Sequence, residues 1–507
     1  TFSMKTSLLV VGYCALLWAC QKSLHTTPLS VDSGPLMPID SINNFIAEQI
    51  KQKGEFDWKT ASDRMLWSAL EHSDHAVSLG YWVENPIGSA AYQSQRQAIK
   101  GQLLDRLYAF EKKNNGTLNS EDLEFWSEEF LPVLNVRITS YETMIALRYD
   151  TRVRYVEPLD YEQKLFERAT LRQSGCAPNL PDASLVPGVD YGIVSPFAKA
   201  SWNYPHHGLL DAWRVSSGVG ITVFLIDTGI GYDQENLGAQ FNQGLSQKRR
   251  LERIVTLPRK KLFGIFNVGL PETPEDRCGH GTAMAGVLAA PRGIDGNVAG
   301  VAYNVNLISC RAAEDVFIDE AREVRGVSDA FVAAGNRSDV RIISMSMGRI
   351  TISSQMRDAI LYARAKGKLI FCAAGTSFAF TAGWSGVIFP ASMSEVQAVT
   401  GVTTGSPAEA CIACHSGPEV DFVVVMERAS DKKHPLTVAD SGDAPSTIGG
   451  SSVATASMAG MAALVWSRYP WWSATELLGR LQQYSSYFPN RHNRFGWGLF
   501  QPAQAVN

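Results

Sequence analysis

Two regimes of hydrophobic patterning divide the chain. In the first, roughly residues 55–158, residues 76–83 read as a strand, and 95–111 carry Ile99, Leu103, Leu107 and Phe110 at the spacing of one helix face. Leu134, Val136 and Ile138 then alternate with Asn135, Arg137 and Thr139, which predicts a strand with one buried face. Thr139 and Glu142 have the spacing of a capping box and predict a helix over 140–148. A last strand over 153–156 stops at Glu157-Pro158. The order β-α-β-α-β predicts a small open-faced α/β sandwich. From about residue 200 the pattern changes: residues 221–226, 306–309, 341–345, 368–373 and 396–399 are apolar at nearly every position, between helical stretches. Strands of that kind are buried on both faces, so the second regime predicts an α/β fold, a mostly parallel sheet with helices on both faces. Loops at the carboxyl ends of such strands carry the chemistry, and Asp227, Ser346 and Thr376 all follow these runs.

Composition adds limits. A chain of 507 residues has room for two domains, and a net charge of −4 argues against a nucleic-acid partner. Met4-Lys5 followed by an apolar stretch over 8–19 reads as a signal peptide, too short to span a bilayer. Thr1-Phe2-Ser3 ahead of it read as an upstream reading-frame extension. The stretch ends Leu17-Trp18-Ala19-Cys20, similar to a bacterial lipobox, so cleavage before Cys20 leaves a lipid-anchored protein in the cell envelope; plain secretion is the alternative. The expected organisation is 1–20 signal peptide, 21–54 Ser/Thr/Pro-rich tether, 55–158 small α/β domain, 159–200 junction with Pro178, Pro181 and Pro187, and 201–507 catalytic domain. Of eight cysteines, Cys14 lies in the leader and Cys20 at the anchor. The remaining six are Cys176, Cys278, Cys310, Cys372, Cys411 and Cys414, whose pairing the sequence leaves open. Cys372, inside an apolar run, reads as a buried thiol.

Three segments carry an acid, a base and a nucleophile: Ile226-Asp227-Thr228-Gly229, Gly279-His280-Gly281-Thr282 and Gly449-Gly450-Ser451-Ser452-Val453-Ala454. Asp227 would emerge at the sheet edge and orient His280. Small residues around His280 let a helix start close to neighbouring backbone. Ser452 opens a helix, where free N–H groups and the dipole favour developing negative charge. Each has a bland reading as a turn, a structural histidine or a helix cap, and Ser451 competes with Ser452. Chain order favours the catalytic reading over the bland ones, since Asp before His before Ser is one of the known orders of this set, but it leaves Ser451 and Ser452 undecided.

Together these segments resemble subtilisin-like serine proteases, across residues 200–507. Gly300-Val301-Ala302, Ile343-Ser344-Met345-Ser346-Met347-Gly348, Phe389-Pro390, Gly417-Pro418-Glu419-Val420-Asp421 and Gly496-Trp497-Gly498 fall in family order. The stretch from Leu134-Asn135-Val136-Arg137-Ile138 to Tyr155-Val156-Glu157-Pro158 resembles the family's propeptide; an unrelated accessory domain is the alternative. The resemblance implies a serine endopeptidase made as a zymogen, acting on a peptide or protein, with its own N-terminal domain as intramolecular inhibitor. Family members often bind calcium, but no cofactor or metal is expected here. Ser346, Met347 and Gly348 would line the cleft and pair with an extended substrate, with Ala374 and Gly375 beside it.

The chain departs from the family in places. Where an asparagine normally follows Ala-Ala-Gly and donates to the oxyanion, Ala373-Ala374-Gly375 is followed by Thr376. A second Ala-Ala-Gly-Asn, ending at Asn336, matches a helix end instead. Ala283, Ala456 and Ser457 replace residues that take no part in proton transfer. Ile388 aligns with the floor of the family's primary specificity pocket, which would favour small P1 residues. Two rival functions follow: a protease-like binding protein silenced at Thr376, and a c-type haem protein, from Cys411-Ile412-Ala413-Cys414-His415. That pentapeptide reads more simply as a local disulfide or free thiols. Cys278, two residues before His280, is either structural or a source of sensitivity to thiol reagents. His72, His75, His206 and His207 read as surface histidines. Asp295, in Arg292-Gly293-Ile294-Asp295-Gly296, has too few carboxylates around it for a calcium site.

Overall fold

The structure, a computed structural model, describes residues 34–114, 123–161, 176–262, 266–376, 386–406 and 408–507. The expected leader, Cys20 with its lipid, the start of the tether and residues 162–175 of the junction lie outside the described residues.

The small unit is a sheet of four antiparallel strands, β1 (Ala76–Tyr81), β2 (Glu124–Trp126), β3 (Val133–Arg137) and β4 (Val153–Pro158), in the order β2-β3-β1-β4. Helices α1 (Ile39–Lys53), α2 (Asp63–Glu71), α3 (Ala90–Asn114) and α4 (Tyr141–Arg148) cover one face. There Val77, Leu79, Leu134 and Val136 meet Ile42, Leu66, Leu103 and Leu147. Helix α1 lies inside the stretch expected to be a tether. Ile42, Ile46 and Ile50 recur every four residues and are buried, a stripe that makes this segment a packed helix. Helix α4 is capped by Ser140, whose hydroxyl accepts from Thr143 N at 3.1 Å, and not by Thr139. The Thr139 hydroxyl is drawn instead to the Glu111 carboxylate at 2.5 Å.

The large unit is built on a seven-stranded, wholly parallel sheet. Its strands are β5 (Thr222–Asp227), β6 (Leu251–Val255), β7 (Asn306–Arg311), β8 (Val340–Met345), β9 (Leu369–Ala373), β10 (Gln397–Thr403) and β11 (Val420–Glu427), in the order β11-β10-β9-β8-β5-β7-β6. Val223 and Leu225 enter one core with α5 (His280–Ala289) and α8 (Ser451–Arg468). Phe224 and Ile226 enter the other, with α6 (Ala321–Asn336) and α7 (Ser354–Ala365). Two cores explain the unbroken apolar runs. Ile226 pairs with Met345, so Asp227 and Ser346 reach the carboxyl edge on adjacent strands. There the strand order reverses, where such sheets place their sites.

The second face of the small sheet is not open to solvent. Phe125, Val133 and Tyr155 join the core beneath α6 and α7, while Phe317 and Ile350 of the large unit join the small unit's core. Asn135, expected on a polar face, is therefore fully buried. Two carboxylates mark this contact. Glu157 Oε2 accepts from Ser354 N at 2.8 Å and Asp160 Oδ1 from Ala321 N at 2.7 Å, so each caps the first residue of a helix. Arg154 pairs with Asp358. Asn336 ends α6, as expected, with its Oδ1 accepting from Tyr362 Oη at 2.6 Å. His207 is no surface histidine: it is buried between Phe500 O (3.1 Å) and Val425 N (3.2 Å).

Candidate active site

Strand β5 delivers Asp227, fully buried, to its carboxyl end. Its Oδ1 accepts from Thr228 N at 2.8 Å and from His280 Nδ1 at 2.8 Å. A buried carboxylate can only accept, so Nδ1 carries the proton and Nε2 is left as the basic nitrogen. Burial alone would lower the imidazole's pKa. The Asp227 charge and its hydrogen bond outweigh that, and the pKa lies above the ordinary 6.5.

The start of α5 is held by Asp276. Its carboxylate accepts from Cys278 N, Gly279 N, Thr282 N, the Thr282 hydroxyl and the Thr228 hydroxyl, all between 2.7 and 2.9 Å. Thr228 Oγ1 in turn accepts from Gly281 N at 2.9 Å. A Cβ at Gly281 would stand 2.3 Å from Gly229 O, so only glycine lets the helix approach this closely. Cys278 is disulfide-bonded to Cys176, which removes the thiol-reagent sensitivity considered from sequence.

Ser452 lies in the first turn of α8 and is partly exposed. Its hydroxyl donates to Ser346 O at 3.2 Å, and the Ser346 hydroxyl donates back to Ser452 O at 2.9 Å. This exchange fixes α8 against the end of β8. Ser451, the competing nucleophile, is 1% exposed and faces elsewhere. Its Oγ accepts from Gly375 N at 3.3 Å and lies 3.0 Å from Thr376 Oγ1. It therefore links α8 to the residues after β9, a role with no sign in the local sequence pattern. Thr376 stays partly exposed.

Ala374 is buried, and its carbonyl accepts from Ile388 N at 2.9 Å. The Ile388 side chain presses on Gly348, where an added Cβ would stand 2.3 Å from Cδ1. Met347 is buried. Gly348 is already paired inside the chain: its N donates to Val316 O at 3.2 Å and its O accepts from Ile318 N at 3.0 Å. Cys411 and Cys414 are bonded to each other, the local disulfide among the readings of that pentapeptide. Cys310 and Cys372 are buried free thiols, Cys372 as expected.

The model of the subtilase family matches residues 218–498. Alkaline elastase YaB of Bacillus sp. (strain YaB) is 27% identical over 413 residues, covering 81% of this chain and 89% of that protein. M-protease of Shouchella clausii (strain KSM-K16) is 26% identical over 380 residues, covering 75% of this chain and 80% of that protein. The crystal structure of MycP1 from Mycobacterium smegmatis aligns with a TM-score of 0.46 at 20% identity, over 65% of this chain and 91% of that one. The family match takes in the parallel sheet and the Asp227, His280 and Ser452 segments alike, and by it this chain belongs to the subtilase family of serine endopeptidases.

Proposed function

We propose that this chain is an exported endopeptidase, made as a latent precursor, whose triad is Asp227, His280 and Ser452. The observation that carries the reading is the buried 2.8 Å contact from His280 Nδ1 to Asp227 Oδ1, with Ser452 at the start of α8. In this mechanism Ser452 Oγ turns from Ser346 O to His280 Nε2. Oγ then bonds to the peptide carbonyl carbon as its proton passes to Nε2. Asp227 stabilises the imidazolium, which gives the proton to the leaving amine. Water releases the acyl group by the same steps in reverse.

The oxyanion would be held by the Ser452 N–H in the first turn of α8 and by Thr376. One arrangement of the hydroxyls suits this. Gly375 N–H occupies one lone pair of Ser451 Oγ, so the Ser451 hydroxyl can donate to Thr376 Oγ1. The Thr376 proton is then free for the oxyanion, and the chain of donors strengthens it.

Latency has two supports. The small unit is docked through the Glu157 and Asp160 caps. The Gly348 edge, where an extended substrate would add a strand, is taken by residues 316–318, and Phe317 between them is buried in the small unit's core. Ile388 beside Gly348 shortens the primary pocket and favours small P1 residues. The leader and Cys20 support export with a lipid anchor in a bacterial envelope.

A fluorophosphonate probe tests the triad. It is expected to label the processed protein at Ser452 and not the Ser452→Ala variant. No adduct on the processed protein would favour the reading of a silenced binding protein.

A further inference from the structure

The pentapeptide ending in His415 has no part in the triad, yet it lies against the oxyanion side of the site. The Cys411–Cys414 disulfide closes it. Cys411 N donates to Gly401 O at 3.0 Å, which fastens the closed turn to the end of β10. Cys414 pairs with Thr376 in an antiparallel bridge, and His415 N donates to Gly375 O at 3.0 Å. The Thr400 hydroxyl donates to His415 O at 2.5 Å.

The ring makes the longer reach. His415 is 1% exposed, and its Nδ1 lies 2.8 Å from Gly386 O. A carbonyl only accepts, so Nδ1 carries a proton and donates; burial lowers the ring's pKa and keeps it neutral. Gly375 has φ +125°, and a Cβ there would stand 2.5 Å from Nδ1. Glycine is thus required both by the backbone and by the ring. Gly375 leads directly into Thr376; Gly386 stands two residues before Ile388, which is tied back to Ala374.

We propose that His415 is a positioning residue: anchored on Gly386 O and packed against Gly375, it holds the oxyanion donor Thr376 in place. It touches no substrate and acts through Thr376. The proposal rests on the protease reading for its kinetic consequence, and on hydrogen-bond geometry alone for its structural one.

The experiment uses the full chain after processing, a chromogenic peptide substrate and five variants, Thr376→Ala among them. His415→Ala is expected to lower kcat about tenfold or more, with KM changed less than about twofold, since a displaced oxyanion donor acts on the transition state. His415→Asn places an amide donor where Nδ1 stood and is expected to recover most of kcat. His415→Gln keeps the polarity but moves the donor one bond outward, and is expected to fold and still lose kcat. Thr376→Ala combined with His415→Ala is expected to fall no further than the worse single variant, because both remove the same donor. An unchanged kcat in His415→Gln, no recovery in His415→Asn, or losses that multiply in the double variant would overturn the proposal.

Hydrogen exchange reads the same holding without turnover. The amides of Gly375 and Thr376 are expected to exchange faster in His415→Gln, and those of Asp227 and Thr228 at the original rate. Equal exchange at all four overturns the proposal. A protein that shows this local loosening but no turnover abolished by Ser452→Ala sinks the protease reading and leaves the positioning role standing.

Discussion

The two halves of the candidate site are braced differently. On the acid–base side, Asp276 alone accepts five hydrogen bonds, three from backbone and two from hydroxyls, and Thr228 adds another through Gly281. On the oxyanion side, among the described residues, Thr376 is met by one hydroxyl contact to Ser451 and by the backbone bridge to Cys414. The first half is over-determined, so loss of a single bracing contact should be absorbed. The second is held by fewer contacts among the described residues, so a single loss should reach the chemistry.

The sharpest trial of this contrast is at the acid itself. Asp227→Asn keeps the size and removes the charge, and turnover is expected to fall about 10⁴-fold, because the imidazole loses its tautomer and its counter-charge. The pH profile should move with it. His280 must be neutral to act as base, so activity falls as pH drops through its pKa. In the native protein that limb is expected above the ordinary 6.5, and without the Asp227 charge it should shift to lower pH. An acid limb that stays in place would show that Asp227 does not set the base.

Thr376→Ala comes next, with an expected fall in kcat of about tenfold or more. Thr376→Asn, which restores the family's usual donor type, should match or exceed the native rate. A native rate in the alanine variant would remove Thr376 from the mechanism. Bracing on the other side should count for less. Thr228→Val removes one of five donors to Asp276 and the acceptor of Gly281 N, but four donors remain on Asp276 to hold the start of α5, so the fall in kcat is expected to be smaller than in Thr376→Ala. A larger loss than in Thr376→Ala would reverse the comparison.

The mildest expected effect lies at the contact between the units. Burial pushes the Glu157 carboxyl up to about 7 and that of Asp160 to about 6. Groups raised in the docked state bind protons there, so docking is strongest in acid and weakens as pH rises through those values. Inhibition by the small unit is expected to relax between about pH 5 and about pH 8, and Glu157→Gln to flatten that dependence. Inhibition that tightens with rising pH would contradict the assignment.

The sequence makes the acid–base half easy to read and the oxyanion half hard. Asp227 ends an unbroken apolar run and His280 sits among glycines and alanines, so local pattern alone places both. Thr376 is visible as the residue after Ala-Ala-Gly, but its partner Ser451 looks like a rival nucleophile until the structure turns it inward. His415 hides in a pentapeptide whose letters point to another chemistry. The Cys176–Cys278 bond spans 102 residues, beyond any local rule. Asn135 misleads for the same reason, because the helices that bury its face come from distant sequence. Helix α1 was legible in Ile42, Ile46 and Ile50, and the composition of residues 21–40 obscured it.

The caps supplied by Glu157 and Asp160 have a kinetic side. They close loops of 197 and 161 residues, contacts of the long-range kind that slow folding. The small unit is itself closed by distant pairings, since only β2 and β3 are close in sequence and β1 reaches β3 and β4 across more than fifty residues. Once formed, it presents one fixed acceptor to the first N–H of each of two helices. Removing both carboxylates should therefore slow the refolding limb more than it speeds unfolding, the signature of contacts already made at the top of the barrier.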